Sequence, residues 1–155
     1  VHVEAFMDAV DLSVVNLGDS ISTIGNRAFK GTESLVKLIG GSSLTAIEPE
    51  AFFQSGFTGV FPLSNSLAVL ETRAFYGSRI TSFHTGSTLT KIGAGAFEAS
   101  MLRVVSLGAN VVSASRNHKP GFVTTLLSEA SALAKAEGET LTDFSADAVH
   151  TVQPQ

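Results

Sequence analysis

The sequence predicts an α/β solenoid in which short parallel strands and short helical or 3₁₀ turns alternate, with a helical cap at the C-terminal end. Three observations predict it. The dipeptide Ala-Phe recurs at Ala5-Phe6, Ala28-Phe29, Ala51-Phe52, Ala74-Phe75 and Ala96-Phe97, which spaces the alanines by 23, 23, 23 and 22 residues. The apolar residues around each dipeptide keep the same register. Glycines such as Gly18, Gly41, Gly86 and Gly108 follow each apolar run except the third, where the chain must turn. A fixed period of this length marks a repeat architecture in which each unit contacts only its neighbours.

Each element of the unit follows from that register. An aliphatic residue stands four positions before each Ala: Val1, Ile24, Ile47, Leu70 and Ile92. The Ala-Phe step reads as a tight turn, where Ala permits close packing and Phe fills the interior. A small residue follows four positions later: Ala9, Thr32, Ser55, Ser78 and Ser100. Next comes a strand with the apolar pairs Leu12 and Val15, Leu35 and Leu38, Ile80 and Phe83, and Leu102 and Val105. The third unit is irregular. Phe61 and Leu63 fit, but Thr58 stands where an aliphatic residue is expected, with Phe57 beside it. Ile21, Leu44, Leu67, Leu89 and Val111 close the units. One unit has too few apolar side chains to enclose a core, so stacking must join them. Plain amphipathic helices would also give an apolar stripe, but not this fixed period with glycines after the strands.

The period falls within the range of about 20–29 residues of leucine-rich repeats. The units resemble the BspA-type, or treponeme-type, leucine-rich repeat, as in IGNRAFKGTESLVKLIGGSSL from Ile24 and IEPEAFFQSGFTGVFPLSNSL from Ile47. LETRAFYGSRITSFHTGSTL from Leu70 and IGAGAFEASMLRVVSLGANV from Ile92 are further copies. The resemblance covers residues 1 to about 114 as five repeats of about 23 residues. It implies a protein-binding solenoid. Members of this family are often bacterial or protist surface proteins implicated in adhesion. The buried Cys usual in the family is replaced by Ala9, Thr32, Ser55, Ser78 and Ser100, all small enough to preserve packing. The Pro usual after the strand is mostly missing.

Composition narrows the function classes. With 44% hydrophobic and 15% charged residues, the chain is too apolar for intrinsic disorder. Its net charge is -4 and its basic residues are scattered, which argues against nucleic acid and against a polybasic membrane contact. There is no cysteine, hence no disulfide and no zinc–thiolate site. No apolar run approaches the roughly 18 residues needed for a membrane span. The absence of an Asn-x-Ser/Thr sequon weakly disfavours a glycosylated ectodomain. Val1 opens inside a repeat, so the expectation is that earlier sequence is missing or that another chain covers this end.

In such a solenoid the strands form a concave sheet face, and residues alternating with the core point outward. The register yields two outward columns. One is Val14, Lys37, Val60, Ser82 and Val104; the other is Asn16, Ile39, Pro62, His84 and Ser106. The mixture is more apolar than a solvated sheet needs, and contiguous exposed apolar patches mark interfaces. β-Branched residues also favour strands for their own sake, so the pattern has a purely structural explanation too. These columns are the expected binding surface for a protein partner.

The period stops after Val112. SASRNHKPG at 113–121 reads as a loop. FVTTLLSEASALAKAEG then places Phe122, Leu126, Leu127, Ala130, Leu133 and Ala134 at helical spacing, with Gly138 as a stop. Residues 115–155 are therefore expected to hold a loop, a capping helix over the last repeat and a partly extended tail.

The residues offer no reaction chemistry. His2, His84, His118 and His150 share no metal-ligand spacing. Glu48 with Glu50 and Asp143 with Asp147 read as surface charges, as do Glu71 and Glu98. GAGAF at 93–97 completes no dinucleotide fingerprint. The expectation is a non-enzyme without cofactor or metal. It is either a scaffolding subunit of a multi-subunit complex, inside a cell or organelle, or an adhesion domain at a cell surface.

Overall fold

Among the described residues, the coils contribute parallel strands at two places. The computed structural model describes residues 1–59, 61, 65–84, 86–107, 113–114 and 123–126. The strands are β1 (Val14–Gly18), β2 (Thr23–Ile24), β3 (Lys37–Gly40), β4 (Ala46–Ile47), β5 (Val69–Leu70), β6 (Ser82–His84), β7 (Lys91–Ile92), β8 (Val104–Leu107), β9 (Ser113–Ala114) and β10 (Val123–Leu126). At the first place β1 pairs with β3, and β6, β8 and β10 pair in that order, all parallel. At the second place β2, β4, β5, β7 and β9 form a five-stranded parallel sheet.

The first-sheet strands are those the repeat predicts. In β1 the pattern alternates, with Val15 and Leu17 buried and Val14, Asn16 and Gly18 exposed. Such alternation is the expected signature of a strand with one face on a core. The irregular third unit is resolved by a one-residue shift. Phe57, six residues after Ala51, is fully buried, as are Ile80 and Leu102 at the same offset in the next coils. Thr58 is exposed. Phe57 therefore takes the aliphatic position, and Phe61 is buried after it.

The second sheet has no counterpart in the expected fold. Each of its strands is two residues long, too short for alternation to show. Its buried members Ile24, Ile47, Leu70 and Ile92 are the aliphatic residues four before each Ala.

The Ala-Phe segments differ from the expected helical or 3₁₀ turn. Own-turn bonds span three residues but involve alternate amides only: Ala28 N–H to Gly25 O, Lys30 N–H to Arg27 O, Thr32 N–H to Phe29 O. The amides between them leave the coil. Arg27, Phe29 and Gly31 donate to Pro49, Ala51 and Phe53 of the next coil at 3.2, 2.8 and 2.9 Å. The same three donors recur in each described junction, from Glu4, Phe6 and Asp8 to Arg73, Phe75 and Gly77. Two backbone positions per turn are left-handed. One precedes Ala: Glu4, Arg27, Glu50, Arg73 and Gly95, with φ from 53° to 62°. The other lies three after it: Asp8, Gly31, Gln54, Gly77 and Ala99, with φ from 52° to 68°. A helix holds no such residues, and the turn is a third side of the coil with its own inter-coil ladder.

The core is a stack. Phe6, Phe29, Phe52, Phe75 and Phe97 lie ring on ring at 4.9–5.7 Å, within 12° of parallel. Each fully buried ring removes enough apolar surface to stabilise the fold by about 1.5–3 kcal/mol. Thr32, Ser55, Ser78 and Ser100 are buried beside the ring stack. The Thr32 and Ser100 hydroxyls donate to the carbonyls of Phe29 and Phe97. The hydroxyls of Ser55 and Ser78 have no hydrogen-bond partner.

The chain beyond Val112 continues the strand pattern. Ser113 and Ala114 pair with Lys91 and Ile92, and Val123 to Leu126 pair with Val104 to Leu107. Residues 123–126 are therefore strand rather than the start of a helix. Three consecutive residues there, Val123, Thr124 and Thr125, are β-branched, and the edge of β8 offers them a ladder. The expected helix beyond Leu126, its stop at Gly138 and the tail lie outside the described residues.

Four stability outcomes follow, each read from urea-unfolding midpoints. Phe52→Ala opens a hole in the middle of the ring stack and should cost about 3–5 kcal/mol. Ser55→Ala removes a buried hydroxyl without a partner and should stabilise by about 1 kcal/mol. Ala99→Gly should also stabilise, by about 1 kcal/mol, because only glycine adopts φ above zero without penalty; Gly77→Ala should destabilise.

Candidate protein-binding face

The pairing of the first-sheet strands assembles the outward columns from separate coils. Val14 lies beside Lys37 and Asn16 beside Ile39. Ser82 lies beside Val104 and His84 beside Ser106. The structure thus sets eight of the ten expected residues side by side in two separate strand pairs, four on β1–β3 and four on β6–β8. Val60 and Pro62 lie outside the described residues.

The two halves of the face differ. In the first two coils Val14 is 49% and Ile39 42% exposed, with exposed Lys37 beside them. In the fourth coil Ser82 and His84 are half-buried. Asn16 serves its own backbone: its side-chain oxygen accepts the Gly18 N–H at 2.9 Å, where the pairing with β3 slips by a residue and Gly18 takes φ 67°. Val36, 51% exposed, stands just before β3 and was not among the expected residues. It precedes the strand, so strict alternation does not select it. The face therefore offers branched apolar side chains with one lysine among them, an arrangement suited to contact by another protein's surface.

The turn side has a different character. Arg27 bridges two neighbouring coils, its Nε donating to Glu50 at 2.8 Å and its Nη1 lying 3.5 Å from Glu4. The hydrogen bond to Glu50, reinforced by its charge, raises the Arg27 pKa further above the usual guanidinium value. At this exposure such pairs fix register more than they stabilise. Phe53 and Tyr76 stack at 4.9 Å, with the Lys30 ammonium 5.0 Å from the Phe53 ring centre.

No group of three or more His, Cys, Asp or Glu able to hold a metal occurs among the described residues. Among those residues no helix is long and apolar enough to cross a membrane.

Comparison with known proteins agrees with this architecture. The chain is similar in fold to a leucine-rich repeat protein of T. pallidum, with a TM-score of 0.67 at 20% identity, over 90% of this chain and 76% of that one. A leucine-rich cell surface protein of Faecalibacterium prausnitzii A2-165 matches with a TM-score of 0.38 at 16% identity, over 83% of this chain and 53% of that one. No curated protein matches the sequence. Leucine-rich-repeat domains generally mediate protein–protein interaction. The profile of the BspA type leucine rich repeat region matches residues 1–118 in six copies, and the chain belongs to that family.

Proposed function

We propose that the chain is a non-catalytic protein-interaction module that holds its partner on the outward face of the first sheet, as a structural or scaffolding subunit of a larger assembly. One observation carries the reading: Val14 and Ile39 stand exposed on the paired strands β1 and β3, with exposed Lys37 beside Val14. Apolar side chains grouped in this way on a paired sheet lose nothing by desolvation and supply the core of an interface, with the lysine at its edge. Val60, Pro62, Ser82, His84, Val104 and Ser106 extend the proposed surface along the same columns. In this reading the segment after Leu126 covers the last coil.

A cell-surface adhesion domain is the second reading, favoured by membership of a family in which surface proteins are frequent. The two differ in assembly. A scaffolding subunit co-purifies with its partners at fixed stoichiometry, whereas an adhesion domain runs as a monomer in size-exclusion chromatography.

The face itself is tested by substitution and crosslinking. A photo-crosslinking residue at Val14 or Ile39 should capture a partner that the same residue at Thr45, outside the face, does not. Replacing Val14 and Ile39 together by Asp should weaken that partner's binding at least about tenfold, the loss expected when apolar anchors are exchanged for charge. Both positions are exposed, so the urea midpoint should barely move. Undiminished binding by the double variant would sink the proposal.

A further inference from the structure

A polar cleft of about 370 Å³ lies where the turn side meets the approach to the first sheet, lined by Glu33, Gln54, Ser55, Gly56, Gly77 and Arg79. Its walls come from one position of the repeat. Glu33, Gly56 and Arg79 each stand five residues after the alanine of their turn, in three successive coils. The outer two carry opposite charges and are exposed, while Gly56 between them is buried. A side chain cannot replace that glycine, since a Cβ there would run into the carbonyl of Glu33. The notch is therefore built in.

The floor is fixed by backbone bonds between coils. Gly56 N–H donates to Thr32 O at 2.9 Å, Arg79 N–H to Ser55 O at 3.1 Å and Gly77 N–H to Glu98 O at 2.9 Å. The charged ends are not so committed. Among the described residues neither Glu33 nor Arg79 takes part in an ion pair, with the other or with any third group. Stacked strands lie about 4.8 Å apart, so two steps separate the Glu33 and Arg79 backbones by about 10 Å.

We infer that this cleft binds a short linear zwitterion, the free ends of a peptide of about three residues. The ammonium group lies against Glu33 and the carboxylate against Arg79, whose guanidinium fork matches a carboxylate with two parallel hydrogen bonds. Length selects the ligand. A single amino acid holds its charges too close together to reach both walls, whereas an extended chain advances about 3.4 Å per residue and spans about 10 Å in three. The Gln54 carboxamide, with both donor and acceptor, faces the peptide group between the ends. The volume lies at the small end of the range for ligand sites, about 300–1,000 Å³. The site shares no residue with the proposed protein-binding face, so either can fail without the other.

The test is a nuclear magnetic resonance titration of the whole ¹⁵N-labelled chain with triglycine, with N-acetyl-triglycine amide and with acetate. Triglycine should give saturable shifts at the amides of Glu33, Gly56 and Arg79. The blocked peptide and acetate should bind at least about tenfold more weakly, having lost one or both charge-assisted contacts. Arg79→Gln and Glu33→Gln should each weaken triglycine by about the same factor, with the remaining spectrum unchanged because both side chains are exposed. Absence of saturable shifts at the cleft overturns the inference. So does equal binding of the blocked peptide or acetate, or triglycine binding that is indifferent to both substitutions.

Discussion

Along the turn side, one and the same peptide group accepts from the coil before and donates to the coil after. The carbonyl of Ala28 receives the Phe6 N–H, and the N–H of Phe29, on the same peptide, goes to Ala51. Two flanking columns behave alike. This arrangement holds successive coils at strand-like spacing on the side where the sequence has no strand. It explains the two left-handed residues of each turn, since both of them, as in Arg27 and Gly31, send their amides out of the coil. It also explains why a proline is accepted at position 49: the peptide contributed by its carbonyl donates through Glu50, and no inter-coil bond needs a Pro49 N–H.

Spacing imposed in this way dictates the interior. Coils held this close bring equivalent side chains into contact, so side chains of similar character recur at each buried position. Flat rings suit the stack best, and Ala28, Ala51, Ala74 and Ala96 beside them are fully buried where a larger side chain would push coils apart. Rigidity on the turn side is passed to the first sheet, which presents Val14 and Ile39 at positions set by pairing rather than by a flexible loop. The same tight approach leaves room only for glycine at position 56, and the polar cleft is a by-product of that constraint.

Much of this was legible in the sequence. The Ala-Phe period fixed the repeat and its register, and the outward columns were paired as alternation requires, Val14 with Lys37 and Asn16 with Ile39. Three features were not legible, each for a physical reason. A strand of two residues has no period, so the second sheet left no trace beyond its single aliphatic residue. Left-handed backbone usually announces itself through glycine, but Glu4, Arg27, Glu50 and Arg73 hold it without one, and the turn looked helical. The apolar spacing from Phe122 onward suited a helix, yet Val123 to Thr125 had an open strand edge to join, and pairing with β8 overrode the local pattern.

The three peptide columns of the turn side are aligned head to tail, so their dipoles add. Each peptide unit contributes about 3.5 D, and in every described junction the N–H points toward the later coil. Elsewhere on the coil the inter-coil amides point the other way: Gly25, Ser34, Val36 and Gly41 donate to Val1, Val10, Ser13 and Gly18 of the coil before. The turn side and the remaining sides therefore carry opposed axial dipoles, with the turn side locally positive toward the later coils. Two such solenoids that meet end to end while keeping this ladder unbroken must do so head to tail, because joining like ends would set carbonyl against carbonyl or amide against amide.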